Sequence, residues 1–196
     1  MKRIGVLGGM SWESSAEYYR IINELVAERL GGYHSADIVM VSVDFDPIEQ
    51  MQREARWDDA AAVLIEAARS CERAGAECLL LATNTMHLVF DQLEAATQAP
   101  WIHIADPTAR AAKAHGTHVV GLLGTAFTME QSFYRERLEK RFGLKVVIPD
   151  EDDRALATLL VRFDSGDGLA QMGEVLDEDE DHLLQVEFEV DDVFVQ

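Results

Sequence analysis

With 196 residues, 48% of them hydrophobic, and a formal charge of −19, the chain is long enough for one large domain or two small ones and too apolar for global disorder. The charge is lopsided: residues 150–196 hold sixteen acids against two bases, Arg154 and Arg162, a net of −14, which leaves −5 for residues 1–149, and surfaces of that sign exclude nucleic acid and anionic membranes as partners. No apolar run reaches the roughly 18–20 residues that span a bilayer, the N-terminus "MKRIGVLGGMSWES" lacks a signal-peptide core, and Cys71 and Cys78, both in apolar surroundings, read as core residues of a cytoplasmic protein, not as a disulfide or zinc framework.

In chain order, residues 3–7 read as a strand and Gly8-Gly9 as a tight turn. Ser14-Ser15 can cap a helix running to about Leu30, which Gly31-Gly32 stops. Residues 38–43 form a second strand, apolar nearly throughout, as a parallel sheet covered on both faces requires. A loop follows over 44–47, then a long Ala-rich helix over 57–74 closed by Gly75. A third strand covers 77–82, a short helix 88–96 and a fourth strand 101–104; Asp106-Pro107 opens a helix to about His115. A fifth strand over 119–123, a helix over about 129–142 and a sixth strand over 145–148 complete the pattern. Alternation of this kind predicts an α/β fold with parallel sheet.

Two segments align without gaps at an offset of 116: "IGVLGGMSWESSAEYYRIINEL" and "VGLLGTAFTMEQSFYRERLEKR". Gly5 meets Gly121, Gly8 meets Gly124 and Tyr18 meets Tyr134. Such a repeat predicts two similar lobes, a first over 1–115 and the start of a second over 116–153, with a ligand cleft at the carboxyl ends of the strands. Residues 154–196 then stand apart as an acidic tail.

The polar residues cluster where those strands end. In "LATNTMHLV" a buried strand stops in Thr83-Asn84-Thr85, whose hydroxyls and amide need partners. A polar ligand can supply them, or Thr85 can cap a helix beginning near His87. The Gly8-Gly9-Met10-Ser11 turn is small enough for a ligand to approach the main chain before a helix N-terminus. It is not GxGxxG, and no GxxxxGK[ST] occurs, so a nucleotide is disfavoured. Gly124-Thr125-Ala126-Phe127-Thr128 is the matching turn, and two such turns suit a small ligand with two anionic ends, although both also read as plain strand-to-helix connections. Gln52, with Arg53 and Arg56, either reaches the cleft or lies on a surface helix. His87 and His103 read as core or capping residues, and Tyr18-Tyr19 as helix packing.

Together "IGVLGGMSWESSAEYY", "LATNTMHLV", "IHIADPTARAA" and "VGLLGTAFTMEQSFY" resemble the cofactor-independent aspartate/glutamate racemase family over residues 1 to about 153. The resemblance implies two pseudo-symmetric α/β lobes with the active site between them. It also implies α-proton removal on one face of an amino acid and return on the other, without pyridoxal phosphate, metal or any other cofactor. Two cysteines act as the bases, one per lobe. The first base lies at the position of Thr83; Asn84 and Thr85 hold the substrate, Thr125 and Thr128 hold its carboxylate, and Met10 and Gln52 belong to the pocket. The partner molecule is then an acidic amino acid, with a homodimer allowed.

Two departures from the family pattern bear on activity. Position 83 is threonine where most members carry cysteine, and a hydroxyl is a poor base without a neighbour to take its proton. The repeat offset places the second base near residue 199, and no Gly-Cys-Thr-Glu type motif occurs. The tail has no counterpart to the expected helix–strand–cysteine unit; Val186, Phe188 and Val190 alternating with acids read as an edge strand. The expected function is an amino-acid racemase with an impaired catalytic pair; a non-catalytic binder of an acidic amino acid and an interaction fragment acting through its tail are the alternatives.

Overall fold

The computed structural model describes residues 1–154, which divide into two compact units, 1–104 and 105–154. The edge strand expected over 186–191, and the acidic tail beyond Arg154, lie outside the described residues.

In the first unit a four-stranded parallel sheet has the order β2-β1-β3-β4. Its strands are β1 (Ile4–Gly8), β2 (Ile38–Ser42), β3 (Cys78–Leu81) and β4 (Trp101–Ile102). Between them run α1 (Trp12–Leu30), α2 (Phe45–Arg53), α3 (Trp57–Arg73), a 3-10 turn over Thr85–Val89 and α4 (Phe90–Ala96). Pairing sets Ile4 beside both Ile38 and Cys78, and Leu7 beside both Val41 and Leu81. β1 is buried at every residue, as befits a central strand.

Side chains alternate across this sheet with period two. Ile4, Val6, Cys78 and Leu80 pack with Ile22, the α1 side. Leu7, Leu79 and Leu81 pack with Leu64, Ala68 and Cys71, the α3 side. α3 turns Ala60, Ala61, Ala67 and Ala68 inward, which lets its backbone lie close to the strands. Gly5 belongs to that approach: a Cβ there would collide with side-chain atoms of Leu79, Ala76 and Cys71.

Several expected boundaries move. The loop foreseen over 44–47 is the start of α2, capped by Asp44, whose carboxylate accepts from the Asp46 amide at 3.3 Å; Asp44, Asp46 and Pro47 read as turn residues, and they sit instead at the cap and first turn of a helix whose buried residue is Ile48. Ser14-Ser15 do not cap α1, which begins at Trp12. Tyr19 is exposed while Tyr18 packs on the core, so only one of that pair serves helix packing.

In the second unit α5 (Ala105–Ala114) precedes a two-stranded parallel sheet of β5 (Val119–Gly121) and β6 (Lys145–Val147). The single helix expected over 129–142 is three pieces: α6 (Ala126–Glu130), α7 (Ser132–Glu136) and a π-helical turn over Arg137–Arg141. Gln131, extended at ψ 144°, separates the first two. The π turn serves a contact that periodicity does not encode: Arg137 grips Asp106 of α5 through two hydrogen bonds, Nε to Oδ1 at 2.5 Å and Nη2 to Oδ2 at 2.8 Å, with both side chains largely buried.

Candidate functional site

The carboxyl ends of β2, β1 and β3 lie side by side in the first unit. β1 continues to pair beyond its last ladder residue: the Val43 amide donates to the Gly8 carbonyl at 3.0 Å, and the Ala82 amide to the Leu7 carbonyl at 2.8 Å. The chain leaves that edge as Gly9-Met10 after β1, α2 after β2, and Thr83-Asn84-Thr85 after β3. In parallel sheets this is the edge at which ligands bind.

The first of these exits is closed. Gly9 has φ +93°, and a Cβ on it would run into the Val43 backbone, so glycine is required there. Its amide does not face a ligand: it donates to the buried Ser15 hydroxyl at 2.8 Å, and that hydroxyl in turn donates to the Ser11 carbonyl at 3.1 Å. One amide of the anion cradle expected of this turn is therefore satisfied by the protein's own serine. Met10 is buried in the core cluster that holds Leu7, Ile48 and Met86.

The second and third exits meet. Gln52, half-buried near the end of α2, donates from Nε2 to the Met86 sulfur at 3.0 Å, which ties α2 to the turn after β3. Arg53 and Arg56 take the surface alternative: the former pairs with Glu49, the latter with Glu54 and Asp59, all exposed. Thr83 and Thr85 are half-buried and Asn84 is exposed, so the segment that follows β3, a rim at this edge, reaches solvent and is not the fully buried set the sequence suggested. Nor does Thr85 act as a cap: the 3-10 turn follows Asn84 in helical conformation, with no side-chain capping bond.

Behind the rim sits an aromatic block. His87 and His103, each 2% exposed, meet edge-on at 4.5 Å, and His87 stacks on Phe90 at 5.5 Å and 6°. Both histidines are core residues, as their apolar surroundings indicate. Neither cysteine belongs to the rim. Cys71 packs on the α3 face and Cys78 on the α1 face, and burial pushes both thiols up, away from the thiolate that nucleophilic or basic chemistry needs.

In the second unit Thr125 caps α6. Its Oγ1 accepts from the Thr128 amide at 3.4 Å and lies 3.2 Å from the Thr128 hydroxyl. The two threonines predicted as substrate contacts are thus adjacent and engaged with each other, with Thr128 buried.

A sequence profile of the Asp/Glu/hydantoin racemase family matches residues 7–181, so the match passes residue 153, where the motif resemblance stops, into the acidic tail. The broad-specificity amino-acid racemase RacX of Bacillus subtilis is 23% identical over 158 residues, 80% of this chain and 69% of that one. The fold resembles the crystal structure of a Yersinia pestis protein assigned to the Asp/Glu racemases, at 50% identity and TM-score 0.81, covering 83% of this chain and 70% of that one. It also resembles an aspartate racemase homologue from Pyrococcus horikoshii, at 35% identity and TM-score 0.73 with the same coverage.

Proposed function

The chain belongs to the Asp/Glu/hydantoin racemase family, whose members are isomerases, and from that premise we propose that the rim built by Thr83, Asn84 and Thr85 binds an acidic amino acid. The reaction of this site type is cofactor-independent removal and return of the α-proton. The observation that carries the proposal is local. The buried strand β3 is followed by three residues with hydrogen-bonding side chains, half-buried or exposed, and the residue after them, Met86, accepts from Gln52 of α2.

In this reading Thr83 stands where a first base would stand, and Asn84 and Thr85 contact the substrate's α-carboxylate or amine. Gln52 and Met10 belong to the same pocket on the first unit. Inversion requires an acid and a base on opposite faces of the α-carbon, and the carbanion requires preorganised hydrogen-bond donors. Threonine is a weak base unless a neighbour accepts its proton. The two cysteines of the sequence are both buried away from the rim with raised thiol pKa values. The chain by itself therefore binds substrate and racemises it slowly or not at all. The protein functions as a cytoplasmic amino-acid racemase family member.

The test is proton NMR of L- and D-aspartate and L- and D-glutamate in deuterated buffer with the full chain. Binding is expected as line broadening or a calorimetric isotherm, with slow or no loss of the α-proton signal. Rapid exchange and interconversion of both enantiomers by the unmodified chain would reveal a second base, and no binding of any of the four would reject the substrate class.

A further inference from the structure

We propose that His87 is a positioning residue for the Thr83–Asn84 segment, holding it through a neutral imidazole whose proton sits on Nδ1; the proposal rests on the reading of that segment as the substrate rim. The tautomer follows from the partners. His87 Nδ1 lies 2.7 Å from the Thr83 carbonyl oxygen, which can only accept, so Nδ1 carries hydrogen. On the other side of the ring the Ile104 amide donates to Nε2 at 3.3 Å, and an amide N–H can only donate, so Nε2 is bare. One proton on Nδ1 and none on Nε2 is the neutral ring.

The same residue acts twice. Its backbone amide donates to the Asn84 carbonyl at 3.0 Å while its ring donates to the Thr83 carbonyl. Two consecutive peptide planes are fixed by one residue, and these planes set the directions in which the Thr83 and Asn84 side chains leave the main chain. Through Nε2 the ring also ties this turn to Ile104, just past β4. His103 edge-on and Phe90 face-on hold the ring plane, so the donor cannot swing away. No apolar side chain supplies the donor, and no hydroxyl bridges the two strand ends with a donor on one side and an acceptor on the other. Burial at 2% exposure makes the loss of either bond costly, since water does not replace it.

Two measurements on the full chain test this. The first is a two-bond proton–nitrogen correlation spectrum of the uniformly labelled protein at neutral pH, with the His87 signals identified by their disappearance in His87→Asn. A pyrrole-type Nδ1 and a pyridine-type Nε2 are expected; the opposite tautomer or a doubly protonated ring overturns the proposal. The second compares affinity for aspartate and glutamate enantiomers. His87→Asn keeps an amide N–H close to the place of Nδ1 and is expected to bind within about threefold of the unmodified chain. His87→Leu leaves the Thr83 carbonyl unpaired and is expected to bind about tenfold or more weakly, with unchanged far-ultraviolet circular dichroism. Equal affinity of His87→Leu and the unmodified chain overturns the proposal. If His87→Leu fails to fold, a loss in His87→Asn as large as tenfold overturns it, and retention supports it. Absence of binding by the unmodified chain defeats the substrate reading instead, and the tautomer alone then judges the histidine's hold on Thr83.

Discussion

Thr83 concentrates the catalytic question in one side chain. A thiol at this position supplies an ionisable group that a hydroxyl does not. Thr83→Cys is therefore expected to permit α-deuterium incorporation into one enantiomer of aspartate or glutamate, without fast inversion, by proton NMR in deuterated buffer. Inversion at a rate equal to exchange would show that a second acid is already in place. Asn84 is exposed beside Thr83, and if it contacts the ligand as proposed, Asn84→Ala should weaken binding by about 1–3 kcal/mol in calorimetry and leave the melting temperature unchanged. Ser15 is the opposite case. Its hydroxyl satisfies the Gly9 amide inside the protein, and Ser15→Ala should destabilise the fold by about 1–3 kcal/mol in urea titration. An unchanged urea midpoint would mean that water reaches the Gly9 amide.

At the scale of elements, the two contacts that matter most are close approaches that a propensity scale does not see. α3 rests on β1 where Gly5 leaves room among Leu79, Ala76 and Cys71, and its alanine face makes the fit. In the second unit the broken helix is organised by the Asp106–Arg137 pair, which is bidentate and mostly buried. Removing one partner of such a pair strands the other charge in a desolvated place. Asp106→Ala is expected to destabilise the second unit by about 3–5 kcal/mol, seen as earlier protease cleavage within residues 105–154. Cleavage at the unmodified rate would show that Arg137 reaches solvent at little cost.

For the molecule as a whole, two consequences follow from what is buried and what is not. Both thiols, and the Tyr134 hydroxyl in the second unit, have pKa values raised by burial. The folded state then holds these protons more tightly than the unfolded chain. The stability they contribute is complete below the unfolded thiol range near about 8.5 and is lost as pH rises toward the raised folded values. The urea midpoint should fall between pH 8 and 10, and fall less in the Cys71→Ala, Cys78→Ala variant; a midpoint that rises over this range contradicts the assignment. The small second sheet leaves Val119 51%, Leu123 59% and Val147 46% exposed, an apolar patch of the kind that drives association or marginal stability. Light scattering should show self-association, or calorimetry a low-temperature transition for the second unit; a monodisperse monomer with a single high transition would show that the patch is covered.

The sequence by itself determined the α/β class, the succession of strands and helices along the chain, the parallel sheet and the family; the sheet order β2-β1-β3-β4 came only with the structure. The first four are written in local signals: apolar runs of strand length, glycines at their ends, and four motifs in one order. It also placed the polar rim at residues 83–85, because a strand that stops in hydroxyls and an amide is visible without coordinates. Only the tertiary structure decided which polar groups are spent internally. The Gly9 amide looks free until Ser15, six residues on, returns to it across the turn; His87 looks like any core histidine until the Thr83 carbonyl and the Ile104 amide fix its proton; Gln52 gains its place only when α2 meets Met86. These pairings join residues from different elements through distances of a few ångströms, and a one-dimensional pattern carries periodicity and propensity but not the direction in which a side chain meets a partner on another element.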